Sequence, residues 1–290
     1  MRVHDAIMPD YAAGAPAMTE AERIRISAFI EKEFGIRMPA SKKSMLEGRL
    51  AKRLRATGCA SYGEYFDFAT RLPEGRDEFL FFADLVSTHE TSFFREPGHF
   101  ELLASTLLPA LCAQGARGRI SALSAACSTG EEAWTLAMLI DSGLARMGRG
   151  EIDFSVEGID ISTKAISIAA HGVYPLERAN SIPADLKRSY LMISKDRSMR
   201  LVRFVPELRS SVYFHAGNLF GDMALERGPY DIVFCRNALI YFDATSQREA
   251  ILALLRHMRR GAYLFLGHSE TLRGLEFPMR SVAHAVYQKD

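Results

Sequence analysis

Ser124-Ala-Ala-Cys-Ser-Thr-Gly-Glu-Glu-Ala-Trp134 follows a strand-like run, Arg119 to Ala126, and opens a helix, so it reads as the first strand-turn-helix of a nucleotide-binding α/β unit. A dinucleotide fold would place G-x-G-x-x-G here, and a phosphate-binding P-loop a Gly-rich turn closed by Lys-Ser/Thr; neither is present. Instead there are small residues, one glycine (Gly130), and two carboxylates, Glu131 and Glu132, where phosphate loops offer bare amides. Acid at the mouth of such a turn repels phosphate and suits a cationic or hydroxyl-rich ligand. S-adenosylmethionine, with a ribose diol, an ammonium and a sulfonium but no phosphate, has that chemistry.

Downstream, strand and helix alternate as a doubly wound sheet requires. Phe154 to Ile159 is a second strand ending at Asp160; Ser162 or Thr163 caps the helix that follows, and Gly172 stops it. An acid at the carboxyl end of the second strand is where α/β nucleotide folds bond a ribose diol. Asp160 could also approximate the helix cap, but beside the Gly130 turn the ribose reading is preferred. Residues 173 to 211 then delay the third strand. Within them Tyr190 to Ile193 and Met199 to Val205, joined by Ser194-Lys195-Asp196-Arg197-Ser198, predict an inserted β-hairpin subdomain whose use is contact. The sheet resumes with Val212 to His215, leading into Gly217-Asn218-Leu219, and Tyr230 to Phe234, leading into Cys235-Arg236-Asn237. A helix over Asp243 to Arg259, with Leu252, Leu255 and Met258 inward, a strand over Ala262 to Leu266 and an alternating edge strand over Ser281 to Gln288 complete the domain, 115–290.

Upstream lies a small helical domain, 19–86. Thr19 and Glu22 fit a capping box, Ile26, Phe29, Ile30 and Phe34 recur at helical spacing, and Gly35 is a stop. A second helix from Ser41 to Thr57 carries six basic residues against one acid, Glu47. At ~100° per residue Lys42, Arg49, Lys52 and Arg53 flank the stripe of Leu46, Leu50 and Leu54. Such a face is either solvated or a docking surface for an acidic partner. Tyr62 to Arg71 and Asp77 to Val86 are two more helices; Trp134 and the aromatics at 79–82 read as core. Residues 87–114, with Phe93-Phe94-Arg95 and a helix over Gly98 to Gln114, link the two domains, and residues 1–18 read as a flexible leader.

The net charge of +1 argues against whole-surface attraction to nucleic acid or membrane, and no run is long enough for a membrane span. Four cysteines without C-x-x-C spacing read as reduced thiols, which with the absence of a signal peptide makes the cytoplasm the expected location. Neither His215 nor His268 sits in a metal-binding motif, so no metal is expected.

Six stretches in order, T-S-F-F-R-E at 91–96, S-T-G-E-E at 128–132, G-I-D-I-S at 158–162, N-L at 218–219, F-C-R-N-A-L-I-Y-F-D at 234–243 and G-H-S-E at 267–270, make the chain from about 19 to 289 resemble the chemotaxis receptor methyltransferase family, CheR. The resemblance implies a Rossmann-like S-adenosylmethionine-dependent methyltransferase domain with a β-subdomain insert, behind an all-helical domain. It also implies methyl transfer to glutamate side chains of methyl-accepting chemoreceptor cytoplasmic domains, leaving S-adenosylhomocysteine. Carried over by position, Thr91 and Arg95 contact cofactor or substrate, and Glu132 and Asp160 hold the ammonium or ribose side. Asn218 and Leu219 flank the adenine, Arg236 and Asn237 line the floor, and Tyr241 stands at the methyl-transfer site. His89 takes a cofactor-contacting place where the family usually has Asn. Members that anchor to a receptor's C-terminal pentapeptide carry a glycine in the hairpin turn; Lys195-Asp196-Arg197 has none, so a pentapeptide-independent enzyme is expected.

Glutamate, with a pKa of ~4.3, is already a nucleophile near neutral pH, so no general base is required. Arg95 then orients the acceptor carboxylate and Tyr241 hydrogen-bonds it or borders the methyl. Two other readings fit the sheet: a methyltransferase for a small molecule, which leaves the basic helix idle, and a signalling module that binds S-adenosylmethionine or S-adenosylhomocysteine without turnover.

Overall fold

A computed structural model describes residues 16–87, 90–113, 118–219, 223, 225–272 and 276–290. The chain divides into two compact units, one of the residues up to 88 with Tyr241–Asp243, the other of His89–Ile240 and Ala244–Asp290.

In the helical unit, α1 (Glu20–Phe34) starts on the expected capping box: the Thr19 hydroxyl accepts the Glu22 amide while the Glu22 carboxylate accepts the Thr19 amide at 2.8 Å. Such a box contributes about 1 kcal/mol. Gly35, left-handed at φ 68°, ends the helix. A 3-10 turn, Ala40–Lys42, delays α2 to Lys43–Thr57, which buries Leu46, Leu50 and Leu54. The remaining helices are α3 (Tyr62–Arg71), capped by Ser61, and α4 (Arg76–Val86). Ile26, Ile30, Phe34, Tyr65, Phe66 and Phe82 are buried with them. The core reading of the aromatics at 79–82 fails at Phe81, which is 46% exposed beneath the Arg53 guanidinium, 4.2 Å from its ring centroid. Adjacent helical residues point ~100° apart, so Phe81 and Phe82 cannot both face one core.

The α/β unit begins with one helix in three parts: α5 (Pro97–Leu102), a π turn over Leu103–Leu107, and α6 (Leu108–Ala113). Then come β1 (Arg119–Ala125), α7 (Glu131–Arg146), β2 (Asp153–Asp160) and α8 (Thr163–His171). The insert follows as β3 (Val173–Pro175), a 3-10 segment over Leu176–Ser181, α9 (Ala184–Tyr190), β4 (Leu191–Ile193), β5 (Leu201–Phe204) and α10 (Pro206–Arg209). The chain closes with β6 (Val212–Ala216), β7 (Tyr230–Cys235), α11 (Ala244–Arg256), β8 (Met258–Leu266), β9 (Met279–Ala283) and β10 (Val286–Lys289).

Seven of these strands form one sheet in the order β6-β2-β1-β7-β8-β10-β9; β6 through β8 run parallel, and β10 and β9 are antiparallel additions. From β1 the chain first builds outward through β2 to β6, then returns to the other side of β1 for β7. The order therefore reverses between β1 and β7, the point where open α/β sheets leave a crevice at their carboxyl ends. Stacked rings fill the space around the sheet: Trp134 on Phe204 (4.4 Å between centroids) and Phe234 on Phe265 (4.2 Å).

Three expectations change. The inserted hairpin is present as antiparallel β4 and β5, but β3 joins it to make a sheet of order β3-β5-β4; β3 is three residues long and ends in proline, too short to show alternation. Helix α11 ends at Arg256, and Met258 starts β8 opposite Tyr230 rather than closing the helix. The single C-terminal strand is the hairpin β9–β10, broken at Ala285, whose φ is 54°.

Candidate active site

The quoted turn leaves β1 with Ala126 at φ 60° and Ser128 at 51°, then reaches Gly130 at 94°. Positive φ costs non-glycine residues about 1 kcal/mol or more each and persists where neighbours over-determine it. Here the Cys127 amide donates to the Ile159 carbonyl (2.8 Å), the Gly130 amide to the Cys127 carbonyl (2.9 Å) and the Ser128 amide to Asp160 Oδ2 (2.8 Å). Gly130 is required twice over, because a Cβ there would lie 2.6 Å from that of Ala169 as well as on a left-handed backbone.

Asp160, at the end of β2, also accepts the Ser162 amide through Oδ1 (2.9 Å). Ser162 is the residue that caps α8, its hydroxyl accepting the Ala165 amide at 3.0 Å. Asp160 is thus held by the turn and the chain around it at the carboxyl end of its strand. The Gly217 amide donates to the Asp160 carbonyl (3.0 Å), which brings half-buried Asn218 and buried Leu219 to the end of the neighbouring strand β6.

The two acids of the turn are both paired. Glu132 accepts the Ser124 hydroxyl through Oε1 (2.7 Å) and Arg236 Nε through Oε2 (2.7 Å). Glu131 is fully buried, accepts the Thr129 hydroxyl (2.6 Å) and meets Arg178 Nη1 at 2.8 Å. The sequence shows the acids of the turn but not the arginines that neutralise them, which come from 104 residues away in one case and from the insert in the other.

Arg236 is the centre of the rim. Its side chain is 2% exposed; besides Glu132 it donates from Nη1 to the Arg95 carbonyl (2.7 Å) and lies 3.4 Å from both Glu96 Oε2 and His99 Nδ1. The rings of Phe100 and Phe234 stand 4.9 and 5.3 Å from its guanidinium carbon. A buried cation persists only with such compensation. Burial pushes the Glu96 carboxyl up, but the Asn237 hydrogen bond and the Arg236 charge outweigh it, and the group ends below its ordinary range. Burial, followed by the Arg236 charge, takes His99 down to about 4.

Asn237 has φ 59° and is gripped on two sides. Its amide donates to Glu270 Oε2 (3.0 Å) and its side-chain Nδ2 to Glu96 Oε1 (3.2 Å). Glu270 also accepts the Gly267 and Ile240 amides, at 2.6 and 3.1 Å. Burial raises its pKa although those amides oppose the shift. Gly267 leaves room for this clamp: a Cβ there would lie 2.8 Å from Asn237 Nδ2. Glu96 and Glu270 stand in the quoted motifs, yet no role was legible for them. Their partners are backbone amides and buried groups far along the chain.

Thr91 and Arg95 are half-buried. The Thr91 carbonyl accepts Arg178 Nη2 (3.3 Å), and Arg95 Nη1 donates to the Glu90 carbonyl (2.6 Å). His89 lies outside the described residues. Thus Thr91, Arg95, Gly130, Glu132, Asp160, Asn218, Leu219, Arg236 and Asn237 all fall on one linked set of turns in the α/β unit. Three metal-ligating groups also meet there, Glu96, His99 and His268, with ligand atoms within 4.8 Å of one another. Arg236 Nη1 already places a positive charge 3.4 Å from two of them.

The remaining expected site residues lie in the helical unit. The Tyr241 carbonyl accepts the Arg37 amide (2.8 Å), and Lys42 Nζ is 5.4 Å from the Tyr241 ring centroid. Arg49 Nη1 serves the end of α4, donating to the Leu85, Val86 and Ser87 carbonyls at 3.1, 3.3 and 3.0 Å. Arg53 grips buried Glu78 with two hydrogen bonds, 2.7 and 2.5 Å, and Tyr65 donates to the same carboxylate at 2.8 Å. Arg49 and Arg53 therefore hold the helices together, while Lys52 is exposed.

The family described as CheR methyltransferase, SAM binding domain, matches residues 89–287, and that described as CheR methyltransferase, all-alpha domain, matches 21–84. The chain is 31% identical over 278 residues to a chemotaxis protein methyltransferase of Borreliella burgdorferi, covering 94% of this chain and 95% of that one. It is 33% identical to the chemotaxis protein methyltransferase of Escherichia coli, covering 94% and 93% of the two chains. Chemotaxis protein methyltransferase 2 of Pseudomonas aeruginosa is 35% identical, with 87% of each chain covered. The α/β unit with its carboxyl-end rim and the helical unit before it are thus the SAM-binding and all-alpha domains of one family, and the chain belongs to the CheR methyltransferases.

Proposed function

We propose that the protein transfers methyl groups from S-adenosylmethionine to glutamate side chains of chemoreceptor cytoplasmic helices, forming methyl esters for chemotactic adaptation, without a pentapeptide tether. The observation that carries this reading is the family match over both units, joined to a rim at the carboxyl ends of the strands, where the order reverses between β1 and β7 and Asp160 ends the adjacent β2.

The residues present suit this donor. Asp160, held by the Ser128 and Ser162 amides, is an acceptor for ribose hydroxyls, and no glycine-rich phosphate cradle competes for the turn. Glu132, at the first turn of α7, faces the ammonium side, and Asn218 with Leu219 borders the base. When bound, S-adenosylmethionine supplies an electrophilic methyl on a cationic sulfur. The acceptor carboxylate is ionised near neutral pH and needs no base from the protein. The chain's part is to orient that carboxylate and keep water from both ions. Arg95 is assigned the orientation, since its guanidinium donates to the Glu90 backbone carbonyl and can exchange that bond for a carboxylate. Tyr241 is assigned to border the methyl.

On the docking side, Lys52 and Lys42 are the candidates among the four basic residues, since Arg49 and Arg53 are engaged within the helical unit. The hairpin turn 194–199 is closed by Asp196, which accepts the Ser198 amide and hydroxyl, and has no glycine for a peptide to approach. No helix of the described residues is long and apolar enough to cross a membrane; a cytoplasmic location belongs to this proposal.

Labelled S-adenosylmethionine incubated with the protein and receptor cytoplasmic fragments tests the reading. Base-labile label on the receptor fragment supports it. Label on a small molecule alone would favour the small-molecule enzyme, and binding without transfer the sensing module.

A further inference from the structure

We propose that Arg178, in the inserted subdomain, is a positioning residue for methyl-donor binding: it neutralises the buried Glu131 carboxylate and so holds the Thr129–Glu131 turn in its ligand-accepting shape. The proposal rests on the reading that this turn holds the donor.

Glu131 opens α7 and has no exposed surface. One carboxylate oxygen takes the Thr129 hydroxyl at 2.6 Å. The other has no aligned hydrogen bond among the described residues; what faces it is the Arg178 guanidinium, 2.8 Å away as a close ion pair. A buried carboxylate without a counter-charge must either take up a proton or swing out to water. Either response pulls on the turn, because Glu131 is covalently next to Gly130, whose amide is bonded to the Cys127 carbonyl at 2.9 Å and whose place beside Ala169 leaves no space even for a Cβ.

Arg178 does not act alone. Tyr174, on β3, donates its hydroxyl to the Thr129 carbonyl at 2.6 Å and packs its ring on Phe93 at 5.1 Å. The Ser181 hydroxyl donates to the Phe93 carbonyl at 2.9 Å, and Arg178 Nη2 reaches the Thr91 carbonyl at 3.3 Å. From the sheet side the turn is held by Asp160 through the Ser128 amide. From the other side it is held by the insert, which ties down both the turn and the 91–93 segment that leads to Arg95. The insert is therefore part of the donor site, and the Arg178 charge is the one element of that hold whose loss leaves an ion uncompensated.

The test is calorimetric titration of S-adenosylhomocysteine into the full-length protein, with melting temperatures measured in parallel. Arg178→Gln should weaken binding about tenfold, Arg178→Lys less, and Tyr174→Phe, which strands no charge, only a few-fold. The double variant Glu131→Gln/Arg178→Gln should recover most of the affinity, since no buried charge is left to neutralise. In turnover assays Arg178→Gln should raise the KM for S-adenosylmethionine while kcat at saturation stays near that of the wild type. If Arg178→Gln lowers the melting temperature but binds within about twofold of wild type, the residue is structural and the proposal is overturned. If the wild type itself binds no S-adenosylhomocysteine, the reading of the turn as donor site falls, and the proposal with it.

Discussion

The turns that leave β1 and β7 sit at the ends of neighbouring strands and both hold non-glycine residues at positive φ, yet they are stabilised in opposite ways. After β1, Ala126 and Ser128 are fixed by two backbone hydrogen bonds and by the Asp160 carboxylate at the end of the adjacent strand. After β7, Asn237 is fixed by Glu270, 33 residues later, and by Glu96, 141 residues earlier, with Arg236 tying Glu96 and Glu132 together. The first turn takes its shape from small residues and glycine pressed against the adjacent strand and the insert. The second is built from buried charge contributed by the whole unit. The difference teaches that the β7 side of the rim stands or falls as a network of charge, whereas the β1 side depends on space and backbone shape with one ion pair, Glu131–Arg178, at its end.

The largest expected effect follows from the network. Arg236→Ala removes the cation between Glu132 and Glu96 and should cost about 3–5 kcal/mol in urea unfolding, since breaking a buried pair strands its partners; a loss below about 1 kcal/mol would show that the β7 turn does not depend on it. On the β1 side, Gly130→Ala should cost about 1–3 kcal/mol from the Ala169 collision and the left-handed backbone. The matched change at the other turn, Asn237→Gly, keeps a conformation glycine prefers and loses one hydrogen bond to Glu96, so about 1 kcal/mol or less is expected in the same assay. Equal losses at the two sites would erase the contrast.

Acid titration sharpens it further. His99 has its pKa lowered to about 4, so between that value and the ordinary value of 6.5 the unfolded chain binds more protons than the folded one. Stability should therefore rise with pH across this window and be lost as pH falls through it. In His99→Gln the melting temperature should vary less between pH 6.5 and 4, and an unchanged slope would mean that His99 is not held neutral beside Arg236. The smallest effect belongs to the surface of the basic helix. Lys52→Glu should alter stability by no more than about 0.5 kcal/mol, while Arg53→Ala, which strands buried Glu78, should cost about 1–3 kcal/mol. Only the Lys52 change should weaken receptor binding at low ionic strength with little effect on folding.

Much of the fold was legible because its signals are local. The capping box at Thr19, the stops at Gly35 and Gly172, and the alternation of strand and helix appear in the chain as the spacing indicates. Strand β3 was not legible because three residues carry no period, and the β9–β10 break was missed because Ala285 takes a left-handed conformation with no glycine or asparagine to mark it. At the site, residue types pointed to the rim, but their states did not follow from type. Glu132 reads as an acid at the ligand turn, but its pairing with Arg236 is not visible in the sequence, and Arg49 reads as a charge facing a partner while tertiary contacts tie it to the end of α4. Charge pairing across a hundred residues leaves no period or spacing in a sequence.

The claim that the methyl donor sits at the Asp160 rim is tested most directly by titrating S-adenosylhomocysteine into wild type and Asp160→Asn. Asparagine keeps the side-chain shape but has one acceptor oxygen where the carboxylate serves the Ser128 and Ser162 amides with one oxygen each, so it removes both the charge that would meet the ribose diol and one of those two hydrogen bonds. The expected result is single-site binding by the wild type and a loss of about tenfold or more in the variant, with a melting temperature lowered by about 2–4 °C for the one hydrogen bond lost. Equal affinity in the two proteins would contradict the placement of the donor.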